Sequence, residues 1–175
     1  MRSAGFSISE LMITLAISAL IVSMVIPSYR PLIEKSRLTT SMNALTAALA
    51  LARSQAISKN QRVVFCASSD GRQCDTHRYE DGWIIFIDYN RDNRRQASEE
   101  TLLWVEQALH SELSLRATAA YRSRIAFSPT GRLTRGFAGN ITLCSKGDYS
   151  RARKLILIAS GRMRIVASQI KSCNL

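Results

Sequence analysis

The sequence predicts an α+β protein in which one long amino-terminal helix packs on antiparallel β-sheet. Two observations carry this prediction. The first 60 residues join an apolar run to a segment with helical spacing, and beyond Asn60 short segments alternate in hydrophobicity with a period of two. No repeat or low-complexity segment interrupts the 175 residues, which are enough for one domain of ordinary size.

Residues 6–26 form an apolar run that contains a single carboxylate, Glu10. A helix of this length spans roughly 30 Å, the thickness of the hydrocarbon core of a bilayer. We therefore expect a transmembrane helix over 6–27, in which the cost of a lone acid implies a partner for Glu10. Arg2 before the run favours a cytoplasmic amino terminus and an exported remainder.

The opening segment, Gly5-Phe6-Ser7-Ile8-Ser9-Glu10, resembles the class III signal of type IV pilins and type II secretion pseudopilins. In that family a prepilin peptidase cleaves after the glycine, the new amino-terminal Phe is methylated, and the buried carboxylate pairs with the neighbouring subunit's amino terminus. The resemblance implies a leader peptide over 1–5 and storage in the bacterial inner membrane before assembly with other major and minor pilins at the cell surface. A plain signal anchor is the alternative.

Apolar side chains at spacings of three and four form one stripe on a helix face along residues 28–60. This pattern predicts that the second half of the helix is amphipathic. Pro27 and Pro31 are expected to bend the helix, and Asn60 to end it. The stripe consists of Leu38, Met42, Leu45, Leu49, Ala52 and Ala56.

Residues 61–175 are predicted to form a periplasmic or extracellular β-rich domain. Ser160-Gly161 predicts a two-residue hairpin turn between the last two strands, and the stretch 107–121 fits neither period and stays unassigned. Strands are expected at 63–67, 83–88, 102–106, 124–128, 141–144, 154–159 and 162–167.

Several later segments resemble the FimT/GspH-type minor pilins and pseudopilins within the same superfamily. They are Val63-Val64-Phe65-Cys66, the run from Gly82 to Asp92, Ile125-Ala126-Phe127 followed by Gly131, and the run from Ile158 to Arg162. This resemblance covers nearly the whole chain and implies the pilin architecture. It also implies a structural subunit, in agreement with the lack of a Ser/His/Asp set, a catalytic Cys/His pair or a phosphate-binding glycine loop.

Four cysteines in an exported chain are expected to pair, because the compartment beyond the inner membrane oxidises thiols. Three pairings are possible. The Asp70-Gly71 turn signal between Cys66 and Cys74 favours a local bridge there, which leaves Cys144 to bridge Cys173.

Metal ligation is the competing use of these side chains. Zinc is disfavoured because no Cys-x-x-Cys spacing occurs and His77 and His110 stand alone. The run from Asp88 to Asn93, with Glu99 at the twelfth position, imitates a calcium loop, but Asn93 replaces the glycine and a strand precedes the loop. Arg91, Arg94 and Arg95 would also repel a cation, so the sequence favours a turn with Asx hydrogen bonds, and neither a metal nor a cofactor is expected.

The net charge of +11 comes from the last third of the chain. Twelve Lys and Arg balance twelve Asp and Glu up to Glu112, whereas from Leu113 onward twelve Lys and Arg accompany one acid, Asp148. A basic region so depleted of acids suggests a polyanionic partner. Anionic lipid headgroups, or solubility alone, are the alternatives.

Within this region, Gly161-Arg162-Met163-Arg164 would place two guanidinium groups on one face of a strand about 7 Å apart. That separation suits successive phosphates of a nucleic-acid strand, and each planar guanidinium can bind phosphate oxygens in pairs. The resemblance supports this site, because FimT proteins of competent bacteria carry a Gly-Arg-x-Arg motif that binds DNA for uptake. Further basic residues expected to contribute are Arg132, Arg135, Lys146, Arg151, Arg153, Lys154 and Lys171.

The resulting hypothesis is a minor type IV pilin that binds extracellular double-stranded DNA without sequence preference during natural transformation. Phosphate contacts supply affinity without base information, and no recognition helix or zinc finger is present. The alternative is a structural minor pilin, or a GspH-like type II secretion pseudopilin, that primes or caps filament assembly.

Overall fold

The computed structural model of the protein describes residues 7–76, 78–146, 148–168 and 173. The chain divides into two compact units, Met1–Arg37 and Leu38–Leu175. Helix α1, Ile8–Lys59, contributes to both units. Helix α1 continues through Pro27 and Pro31, the two prolines that are expected to bend it.

The first unit contains the beginning of α1, where the backbone N–H of Ser7 donates to Glu10 Oε2 at 3.1 Å. In a capping box, the side chain of the third helical residue accepts a hydrogen bond from the backbone N–H of the residue that precedes the helix. Glu10 and Ser7 form this half of a capping box. Large apolar side chains of this unit are exposed, from Ile8 to Val22 and again at Leu32 and Ile33. Within the described residues, no helix combines the length and apolar character that crossing a membrane requires.

The second half of α1 carries the predicted stripe, and the prediction is confirmed. All six of its side chains are at most 1% exposed. They pack with the inner faces of two sheets in one hydrophobic core that also holds Phe65, Tyr79, Trp83 and Phe127. The helix ends where Asn60 takes a left-handed conformation, with a φ of 51°, which asparagine tolerates better than most residues.

Among the residues that the structure describes, eight strands form two four-stranded antiparallel sheets, which we call sheet A and sheet B. Sheet A has the order β3-β2-β1-β5, and sheet B has the order β4-β6-β7-β8. The strands of sheet A are β1 (Arg62–Ala67), β2 (Trp83–Asp88), β3 (Leu102–Glu106) and β5 (Arg124–Phe127). Those of sheet B are β4 (Leu113–Ala117), β6 (Gly139–Ser145), β7 (Asp148–Leu157) and β8 (Met163–Ala167).

The α+β prediction is confirmed, with two differences in detail. Strand β4 lies in the stretch that the sequence left unassigned, and there Leu113, Leu115 and the half-buried Ala117 face the core. Strand β7 begins at Asp148, six residues before the predicted start. In β4 the outer positions hold Ser114 and Arg116, and the added part of β7 contains Arg151 and Arg153, so neither stretch shows a clear hydrophobic alternation.

Both predicted disulfides are present, joining Cys66 to Cys74 and Cys144 to Cys173. The first closes the loop that follows β1. The second brings Cys173 against sheet B, where Cys144, Ala152 and Cys173 form a small buried cluster. Residues 169–172, including Lys171, lie outside the described residues.

Candidate nucleic-acid interface

The β7–β8 hairpin presents one face to the core and the other outward. Leu155 and Leu157 of β7 are fully buried in the core, so the alternating residues Lys154 and Ile156 point away from it. Across the hairpin Ile156 pairs with Arg164, and Lys154 pairs with Val166. Directly paired residues share a face, so Lys154 and Arg164 both lie on the outer face of sheet B.

The hairpin closes through a turn from Ile158 to Arg162, longer than the two-residue turn that was predicted. The N–H of Gly161 donates to the carbonyl of Ile158 at 2.8 Å, and the N–H of Ile158 donates to the carbonyl of Arg162 at 3.1 Å. Arg162 and Arg164 are exposed, whereas Met163 between them is half-buried against the core. The two arginines therefore project on the same side, at the spacing of about 7 Å expected along an extended strand.

The helix holds this turn in place through Arg53. Its Nε donates to the carbonyl of Gly131 at 3.0 Å, and its Nη2 donates to the carbonyl of Ser160 at 3.4 Å. A backbone hydrogen bond from Leu133 to Ala159 joins the same two turns at 3.0 Å. Arg53 thus bridges the 128–131 turn, which follows β5, and the tip of the hairpin.

Gly161 lies so close to the 128–131 turn that no side chain would fit at its position. Its φ is +77°, and a Cβ added to it would lie 2.1 Å from the carbonyl oxygen of Gly131 and 2.9 Å from Nε of Arg53. Arg132 follows Gly131, just as Arg162 follows Gly161. The contact between the two glycines therefore brings the exposed Arg132 next to the hairpin tip.

The charges gathered here are not neutralised within the described part of the chain. The guanidinium groups of Arg132, Arg162 and Arg164 have no carboxylate within ion-pair distance there and donate no hydrogen bond. Three exposed guanidinium groups without a protein acceptor can bind an anion with several oxygens, such as a phosphate diester. We call Arg132, Lys154, Arg162 and Arg164 the tip cluster.

Other residues predicted for this surface are placed elsewhere. Lys146 follows β6 at the opposite end of the β6–β7 hairpin, and the exposed Arg151 lies six residues from Leu157 along β7, which corresponds to about 20 Å. Arg153 pairs with Ala167 and by alternation lies on the other face from Lys154. Arg135 is exposed, but its Nη1 donates to the carbonyl of Ala120 at 2.7 Å.

The predicted processing residues Gly5 and Phe6 lie outside the described residues, and so does His77. Sequence reasoning missed Arg53, because its two carbonyl partners are 78 and 107 residues away along the chain. The only local signal is a charged residue that directly follows Ala52, a member of the buried stripe.

The arrangement of one helix and two antiparallel sheets is the fold of pilins, as solved structures show. The type IV minor pilin FimU of Pseudomonas aeruginosa PAO1 superposes with a TM-score of 0.65 at 20% identity, over 81% of this chain and 98% of FimU. The minor pseudopilin EpsH from the type 2 secretion system of Vibrio cholerae superposes with a TM-score of 0.52 at 14% identity, over 75% of this chain and 97% of EpsH.

The family profile of the type II transport protein GspH matches residues 41–161, so the chain belongs to this family within the type IV pilin superfamily. No curated protein matches the chain in sequence. Family and fold together identify a minor pilin or pseudopilin of a type IV pilus or a type II secretion system, a structural subunit that assembles with other pilins and is not an enzyme.

Proposed function

We propose that this minor pilin binds double-stranded DNA without sequence preference through the tip cluster, as a DNA receptor in natural transformation. The observation that supports this most is the placement of Arg162 and Arg164. Both are exposed, they project on the same side of the hairpin, and neither has a carboxylate partner among the described residues.

The structure around these arginines favours a pre-organised site. Arg53 and the contact between Gly131 and Gly161 hold the two turns together, so little conformational freedom is lost when a phosphate is bound. Arg132 and Lys154 extend the positive surface beyond the span of a single phosphate. The tip cluster can thus contact several successive phosphates of the DNA backbone. Contacts to phosphates carry no information about the base sequence.

The affinity of one subunit is expected to be modest. Four basic side chains release few counterions, and Lys146, Arg151 and Arg153 lie too far away or on another face to add to the same contact. Several subunits in one filament would gain avidity, because the second contact to a long DNA is intramolecular. A filament component is therefore well suited to a weak site.

We further propose that the leader 1–5 is removed by prepilin peptidase and that residues 6–27 anchor the subunit in the inner membrane until assembly. The Gly5-Phe6 junction, Glu10 at the fifth mature position and the exposed apolar side chains of the first unit support this. Intact-mass spectrometry of membrane-extracted protein should find a chain that begins with methylated Phe6. A chain that retains residues 1–5 would contradict the processing proposal.

The DNA proposal is tested by fluorescence anisotropy with the full chain in non-ionic detergent and two duplexes of unrelated sequence. Wild-type protein should bind both equally, with an affinity that falls steeply as salt rises. The double variant Arg162→Gln/Arg164→Gln should weaken binding by about 10- to 60-fold at 0.1 M salt, and the slope of log K against log salt should shrink by about 2.

A matched control is Arg72→Gln/Arg122→Gln, which removes the same charge. Both side chains are exposed, and they lie near the end of sheet A where Cys66 pairs with Arg124, away from the 128–131 turn. This control should retain nearly all the affinity. An equal loss in both double variants would mean that net charge, and not the tip cluster, attracts DNA, and the site would be rejected.

A second candidate function is assembly, with the tip cluster contacting an acidic surface of another pilin. Ile158, which is 41% exposed in the turn beside Arg162, favours a protein partner at the hairpin tip. In that case the wild-type chain would bind neither duplex, and a partner pilin would bind in its place. Binding to acidic liposomes but not to DNA would instead indicate a membrane-facing surface.

A further inference from the structure

Three carboxylates meet in the loop that joins β2 to β3. Asp88 ends β2, Asp92 lies in the loop, and Glu100 stands two residues before β3. One carboxylate oxygen of each lies within 4.8 Å of those of the other two, and Asp88 and Glu100 are buried whereas Asp92 is exposed. Like charges at this separation repel each other strongly unless a cation lies among them.

Within the described part of the chain, two buried oxygens of this cluster have no hydrogen-bond donor. They are Oδ1 of Asp88 and Oε1 of Glu100. The side chain of Asp88 is fully buried and Glu100 is only 5% exposed, so bulk water cannot easily take the donor's place. Buried polar atoms in native proteins nearly always have a partner, and carboxylate oxygens left without one are costly. The two unpartnered oxygens therefore call for a ligand that is not part of the chain.

The backbone of the loop is arranged as in oxygen-ligated calcium loops. The N–H of Asn93, the sixth residue from Asp88, donates to Asp88 Oδ2 at 3.2 Å, and Asn93 has a φ of 60°. Glycine usually occupies this position because the loop must turn sharply there. Asparagine can take the same left-handed conformation, which removes the sequence-based objection that Asn93 stands where the glycine belongs.

The charge balance also suits a divalent cation. Nη1 of Arg62 lies 3.8 Å from Asp88 Oδ2, so three carboxylates and one guanidinium leave about two negative charges uncompensated. Arg91 and Arg94, which the sequence suggested would repel a cation, are exposed. Nη1 of Arg95 donates to the carbonyl of Arg72, in the Cys66–Cys74 loop. These arginines therefore do not fill the space between the carboxylates.

We propose that the β2–β3 loop binds a calcium ion through Asp88, Asp92 and Glu100. Calcium is favoured over zinc because the donors are all oxygens, and over magnesium because an irregular loop adapts to six to eight ligands more easily than to a strict octahedron. Glu100, the thirteenth residue of the loop, takes the place that the sequence offered to Glu99, the twelfth. Water and loop carbonyls would complete the coordination.

Titration of the EDTA-treated full chain with CaCl₂, in non-ionic detergent and without DNA, tests this directly. Isothermal titration calorimetry should show one site with a Kd of about 10⁻⁴ to 10⁻³ M, the range of extracellular calcium modules. Calcium should also raise the thermal unfolding midpoint, whereas magnesium at the same concentration should raise it much less. Absence of heat and of any shift in the wild-type chain at 10 mM calcium, on the order of ten times the weaker Kd, would overturn the proposal.

Variants then assign the ligands. Glu100→Gln and Asp92→Asn should each weaken calcium binding at least tenfold, and Asp92 is exposed, so its replacement should leave the fold intact. The matched control Glu99→Gln removes the same charge from an exposed neighbour and should bind calcium as the wild type does. Equal losses in all three variants would show diffuse attraction to an acidic loop and would reject the site. The outcome is independent of the DNA proposal, because no arginine of the tip cluster takes part.

Discussion

Replacing Gly161 by alanine is expected to lower the free energy of unfolding by about 3 kcal/mol or more. A left-handed φ costs a residue with a Cβ about 1–2 kcal/mol. In addition, the new methyl group would lie 2.1 Å from the carbonyl oxygen of Gly131, a backbone atom that cannot rotate away. One of the two turns must therefore move. Chemical denaturation of the full chain in non-ionic detergent, followed by tryptophan fluorescence, measures the loss.

Gly136→Ala separates the cost of the left-handed φ from the cost of the clash with the Gly131 carbonyl oxygen. Gly136 has a similar φ of +69°, but apart from its two chain neighbours no described residue has a heavy atom within 4 Å of the position its Cβ would take. This control should cost only about 1–2 kcal/mol. We also expect Gly161→Ala to weaken DNA binding under conditions where the variant is still folded, since displaced turns no longer hold Arg132 beside Arg162. If Gly161→Ala cost no more than Gly136→Ala, the contact between the turns would not be what fixes the hairpin tip.

Arg53→Met is expected to cost about 2–3 kcal/mol of stability, because it removes a charged donor from two backbone carbonyls. The half-buried guanidinium binds the carbonyls of Gly131 and Ser160, and methionine keeps much of the apolar stem. DNA affinity should fall as well, although Arg53 is a positioning residue and lies beneath the turns it holds. Denaturation and the anisotropy titration measure the two effects separately.

Two further variants test whether the effect of Arg53→Met depends on the position of Arg53 and on its planar guanidinium group. Arg37→Met makes the same change on the same helix at an exposed side chain, and it should alter neither stability nor DNA binding appreciably. Arg53→Lys keeps the charge but cannot bridge two carbonyls with a planar fork, so it should fall between wild type and Arg53→Met. If Arg53→Lys behaved as the wild type, charge alone would explain the role of this residue.

The helix and most strands could be predicted because their signals are local. The stripe from Leu38 to Ala56 repeats at spacings of three and four, and all of its members are buried. Runs such as Trp83–Asp88 are bounded by turn residues and rich in β-branched and aromatic side chains. Strand β4 was not predictable, because only three of its residues, Leu113 to Leu115, are buried and charged residues stand on both sides of them.

The site was predictable only in part, since it depends on contacts between distant segments. The motif from Gly161 to Arg164 is a local pattern and was found, but the position of Arg132 beside it depends on the contact of Gly131 with Gly161. Likewise, a list of basic residues cannot show that Arg151 lies far along β7 or that Arg153 is on the opposite face. For the acidic loop, sequence spacing pointed to Glu99, whereas folding places Glu100 beside Asp88 and Asp92.

Among the described residues, strand β8 is the last strand in the order of sheet B, with Arg164 and the partly exposed Ile165 in its middle. An open strand edge can pair with the same edge of another molecule, and positively charged side chains on it oppose such aggregation. The arginines would then also oppose self-association of the subunit before it assembles with other pilins. Neutralising both is expected to reduce solubility, so the affinity of that variant has to be measured at low protein concentration.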